Sequence, residues 1–65
     1  MRTVQLNFEK SMDVDMAYGV LERSSIEITE SDNRSIKIEG SEESIGDALM
    51  ELQFQGVIPK TSSIQ

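Results

Sequence analysis

The stretch Ser41–Gly56 does most to constrain how this chain can fold, because it reads as one helix with a signal at each end. Ser41 follows Gly40 as an N-cap, and Glu42 and Glu43 put negative charge in the first turn, where unpaired N–H groups and the helix dipole favour it. Gly56 can take the left-handed conformation that ends a helix, and Pro59 keeps it from resuming. Between these ends Ile45, Ala48, Leu49 and Leu52 recur at helical spacing and form one stripe suited to a core. At about 100° per residue, Met50 and Phe54 fall roughly opposite that stripe, beside Glu43 and Asp47. One core cannot receive both sets.

The segments before it supply what the stripe can pack on. Val4, Leu6 and Phe8 alternate with Thr3, Gln5 and Asn7, the pattern of a half-buried strand. Ile26 and Ile28 alternate with Glu27 and Thr29, and Ile36 and Ile38 alternate with Lys37 and Glu39, which reads as a hairpin. All four isoleucines must share a face, and a slip of one residue would invert a strand. A two-residue loop at Asp32-Asn33 sets Ile28 against Lys37, the wrong face. A three-residue loop, Ser31-Asp32-Asn33, sets Ile28 against Ile36 and Ile26 against Ile38, with Asn33 in the left-handed position. It also pairs Glu30 with Arg34 and Glu27 with Lys37.

Met12 to Ser24 supports two patterns. As a helix capped by Ser11 or Asp13 it aligns Val14, Ala17, Tyr18 and Leu21; as a strand it alternates Met12, Val14, Met16 and Tyr18 with polar or small residues. The helix is preferred, because paired Asp residues suit a helix start and Val20–Arg23 breaks the alternation. Met12 and Met16 then lie off the core stripe, with Val20 at its flank. After the last helix Val57 reaches toward the core, and residues 60–65 show no periodicity and read as a loose tail.

The expected architecture is therefore a single α+β domain over residues 1–59, ordered β-α-β-β-α. It has a three-stranded, mainly antiparallel sheet with two helices on one face. The other face would be polar and without aromatics, so it offers no platform for stacking bases. This order partly overlaps those of KH-like and ferredoxin-like domains. No glycine-x-x-glycine loop joins two helices, however, and the second half of a ferredoxin-like repeat is expected to be absent, so no family is assigned.

With 65 residues and no Cys or His, disulfides and the usual transition-metal ligands are out of reach. Small unstapled domains often rely on oligomerisation. A net charge of −6, with six scattered basic residues, argues against direct binding to nucleic acid or anionic lipid. The same acidity serves solubility, or attraction to a basic partner, including imitation of a nucleic acid. The N-terminus lacks an apolar signal core and no run has transmembrane length, so a cytoplasmic location is expected.

No catalytic pattern stands out. The serines sit at caps, turns and strand ends, where local hydrogen bonding accounts for them. Asp13 and Asp15 diverge on a helix, while Glu43 and Asp47 are adjacent but belong to a solvent face. Gly40–Gly46 has no phosphate-loop pattern, and calcium-loop spacing is absent, so no cofactor or metal is expected. The surplus apolar residues remain. On one reading Phe54 folds over the helix end with Val57 and Ile58, and the methionines fill the helix seam. On the other, Met12, Met16, Met50 and Phe54, with Glu43 and Asp47 beside them, form a partner-binding surface.

The function expected on that second reading is non-catalytic: a regulatory or inhibitory protein, or a small complex subunit. Its partner is a second copy, as a homodimer, or another protein, basic or itself nucleic-acid-binding. A KH-like or ferredoxin-like nucleic-acid-binding domain is the alternative, and a small oligomeric enzyme comes third.

Overall fold

Strand β1 (Arg2–Asn7) lies inside the sheet, flanked by β3 (Ser35–Gly40) and β4 (Thr61–Ile64), with β2 (Glu27–Ser31) outside β3. All three pairings are antiparallel, giving the order β2-β3-β1-β4. Helix α1 (Ser11–Glu22) connects β1 to β2, and α2 (Glu42–Phe54) connects β3 to β4. The computed structural model describes residues 1–64, with side chains as far as Ser62.

The domain is α+β with two helices and an antiparallel sheet, as expected, but the sheet has four strands rather than three. Residues that read as a loose tail supply the fourth, pairing Asn7 with Thr61 and Val4 with Ile64. Gln65, the last residue of that expected tail, lies outside the described residues. The element order becomes β-α-β-β-α-β, that of a split βαβ, ferredoxin-like arrangement, so its second half is present after all. Thr61-Ser62-Ser63 has no apolar alternation to announce a strand. What orders it is tertiary: the free edge of β1 offers a row of backbone partners that a peptide segment nearby can satisfy.

The core forms where the alternation in the strands meets the helical stripes. Leu6, Ile36, Ile38, Leu21, Ala17 and Leu52 are fully covered, joined by Val4, Phe8, Val14, Val20, Ile45, Ala48 and Val57. Ile26, Ile28 and Leu49 pack at its border, half-buried. Among the described residues no polar or charged side chain is buried.

Two local expectations are corrected. In α1, Lys10 takes the N-cap position with no side-chain hydrogen bond, so neither Ser11 nor Asp13 caps the helix. Val20 is buried in place of Tyr18, which is exposed. Helix α1 packs on both the sheet and α2. Its buried face therefore widens to an arc of about 120° from Val20 to Val14 and turns Tyr18 outward.

In the hairpin, Ile28 lies opposite Ile38 rather than Ile36, and Ser31 lies opposite Ile36. Asp32 Oδ1 accepts hydrogen bonds from the Arg34 and Ser35 amides and from Ser35 Oγ, and the Asp32 amide donates to the Ser35 carbonyl. The turn therefore centres on Asn33-Arg34, and among the described residues none other than glycine has a positive φ, Asn33 included. Continued without interruption, that register would set Ile28 against Glu39 and turn it outward. An irregularity at Thr29, between Ile28 and Glu30, takes up one residue and returns Ile28 to the core face. Thr29 Oγ1 donates to the Lys37 carbonyl there. The expected Glu27–Lys37 pairing is replaced by a Glu30–Lys37 ion pair at 3.0 Å, and Glu27 faces Glu39.

Candidate functional site

The surface that stands apart is the outer side of α2, and it follows from how that helix begins and ends. At the start, Ser41 Oγ accepts from the Ser44 amide at 3.1 Å, as an N-cap serine should. At the end, Gly56 has φ +78°, its amide donates to the Gln53 carbonyl, and the Val57 amide donates to the Leu52 carbonyl. These are the two bonds of a Schellman motif, and Val57 and Leu52, the positions whose apolar contact often accompanies it, are both buried in the same core. The helix end is thus closed without Phe54.

Closure by Val57 decides where its neighbours go. Phe54 is 79% exposed, so it does not fold over the helix end. Ile58 is 66% exposed and Met50 56% exposed. With Val57 anchored in the core, the chain returns past the flank of α2 toward β4. Leu49, Met50, Gln53, Ile58 and Pro59 there line an open groove of about 570 Å³ that runs to Thr61 and Ser62. Met50, Gln53 and Phe54 border a smaller hollow continuing from it. Lys60 is the one charged residue among those lining the groove.

The six residues singled out from sequence are all exposed. Met50 and Phe54 share a hollow. Asp47 instead lines a separate cleft of about 290 Å³ between the helices, with Val20, Arg23, Ser24, Ser44 and Glu51. Glu43 is exposed in the first turn of α2. That interhelical cleft sets the C-terminal end of α1 beside the N-terminal half of α2. Met12 and Met16, in the first turns of α1, therefore lie toward the opposite end of the helix pair. Both are exposed and do not plug the helix seam.

Sequence reasoning misses Ile58, Pro59 and Leu49 as groove residues. It assigns Leu49 wholly to the core, whereas Leu49 is half-buried and borders both. It sets Ile58 over the helix end with Phe54. The available signal was the spacing after Gly56: a Schellman end directs Val57 inward and leaves its neighbour Ile58 outside.

Asp32, at the far hairpin turn, is held away from its ordinary value. Its carboxyl is lowered by the hydrogen bond from the Arg34 amide and then by those from Ser35. That is turn chemistry on an exposed side chain. No group of three or more His, Cys, Asp or Glu residues is placed to hold a metal among the described residues. Among the described residues no helix is long and apolar enough to cross a membrane. Comparisons with protein-family models, with curated proteins and with solved structures find no match to this chain.

Proposed function

We propose that this chain is a non-catalytic protein-binding domain, regulatory or inhibitory in role, or a small subunit of a complex. It works through the outer side of α2 in the cytoplasm. One observation carries this reading: Met50, Phe54 and Ile58 stay exposed in a fold whose core and helix ends are closed without them. Exposed apolar side chains grouped around a groove favour a macromolecular contact, and Met adapts its shape to a partner. Glu43, Asp47 and Glu51 on the same helix add negative potential that would steer a basic partner toward it. A protein that itself binds nucleic acid is such a partner, and occupation of its site by imitation is a special case.

Phe54→Asp tests the reading. The variant should keep the far-UV circular dichroism of the wild type, since Phe54 is outside the core, yet lose partners retained by the immobilised wild-type chain. Retention of the same partners by the folded variant would count against this surface. The nucleic-acid-binding alternative draws support from the completed ferredoxin-like element order. The charge of −6 opposes it, and binding to RNA or DNA at physiological salt is expected to be undetectable.

A further inference from the structure

The two edges of the sheet differ in kind. On the β2 edge, Glu27 and Glu30 are exposed and the strand carries the irregularity at Thr29. Charges and bulges of this sort keep an edge from pairing with another strand. The β4 edge has neither. Its residues, Thr61-Ser62-Ser63-Ile64, include no charge and no proline, and they keep an unbroken register with β1. Strand β4 ends the sheet among the described residues, so one side of its backbone is without a ladder partner. The apolar groove of Leu49, Met50, Ile58 and Pro59 opens directly beside it, through Thr61 and Ser62.

We infer that a second copy of this chain occupies the β4 edge and the adjoining groove. The two β4 strands pair antiparallel about a two-fold axis normal to the sheet, and the sheet runs on through both copies. The inference rests on the protein-binding reading above, and names a second copy rather than a basic protein as the partner at this edge.

Three observations favour a second copy over other occupants. The first is charge. Pairing β4 with its own copy joins two segments composed only of Thr, Ser and Ile, whereas self-pairing at β2 would oppose glutamates. Two chains of net charge −6 repel, and β4 with its groove is a side on which Lys60 is the one charge among the groove residues. The second is symmetry. A two-fold axis normal to the sheet keeps the helix-bearing faces on the same side, so the groove of one copy meets the same groove of the other. Isologous contacts require such a self-complementary patch.

The third is placement. The flank of α2 facing β4 is the one with Leu49 and Met50, since α1 shares a cleft with the other flank, so the apolar side chains lie on the side from which a strand added to β4 would approach.

Sedimentation equilibrium of the full chain over micromolar concentrations should give a dimer. Met50→Glu and Ser62→Glu should each weaken it at least tenfold while leaving the circular dichroism spectrum unchanged. Because the sequence holds no Cys, Ser62→Cys introduces a single thiol, which should form a disulfide-linked dimer on mild oxidation. Glu27→Cys on the opposite edge should not. This cross-linking arm keeps the native groove and decides the matter if either Glu variant fails to fold. A monomeric wild type, a dimer indifferent to both Glu variants, or equal cross-linking from Glu27→Cys would overturn the inference. A monomer that still captures another protein through Phe54 would overturn it while sparing the protein-binding reading; a monomer whose capture is independent of Phe54 would remove both.

Discussion

Gly56 and Asp32 show how much single residues decide here, and how differently they can be read. Gly56 sits at φ +78°, where a Cβ is strained although nothing crowds it. Gly56→Ala should therefore cost about 1 kcal/mol or somewhat more, measured by urea unfolding. Its role was legible because a glycine ahead of a proline after an amphipathic run is a local signal. Asp32 was legible only as a turn residue. Which atoms its carboxylate would hold, and hence where the turn would centre, depended on Ser35 and on the strand beyond. Its folded-state pKa is lowered from 3.8, so its stabilising contribution is present above that value and is lost as pH falls through the lowered one. Asp32→Ala should be less stable than the wild type by a constant margin above about pH 5. That margin should shrink in increasingly acid solution, as read from thermal midpoints across a pH series.

At the scale of elements, helices and strands with strong apolar periods were readable, and the features that depend on a neighbour were not. The β1 and β3 alternation and the Ile45–Leu52 stripe each reported their buried face correctly. The irregularity at Thr29 has no sequence mark, because it repairs a mismatch between the Asp32 turn and the isoleucine face. Strand β4 has none either, being a polar segment ordered by β1. The same logic identifies where an element is weaker than it could be. Gly19 lies inside α1 with negative φ, and a methyl group at its Cα would meet nothing within 4 Å. Gly19→Ala should therefore stabilise by about 0.5–1 kcal/mol in chemical denaturation. Ser41→Ala, by contrast, removes the acceptor for the Ser44 amide and should cost about 1 kcal/mol by the same measurement.

For the whole molecule, the size of the chain and the residues left outside its core belong together. A domain of 65 residues without disulfides is marginal, and the apolar groove beside β4 gives it surface to bury against another chain. The candidate site was half legible. Met50 and Phe54 were marked by lying opposite the core stripe, but their grouping with Ile58 and Pro59, and the separation of Asp47 onto another cleft, needed the path of the chain after Gly56. Leu52, fully buried between the exposed Met50 and Phe54 in the same helix, gives the contrast: Leu52→Ala should cost about 2–5 kcal/mol, whatever the protein concentration.

If the outer side of α2 serves a second chain rather than its own core, the thermal midpoint depends on protein concentration. Association of folded chains makes that midpoint rise with concentration. The wild-type midpoint should climb by several degrees over a hundredfold increase, while that of Met50→Glu should stay flat and meet the wild type at the dilute limit. A flat wild-type midpoint, or a Met50→Glu midpoint far below the wild type even when dilute, would contradict the account.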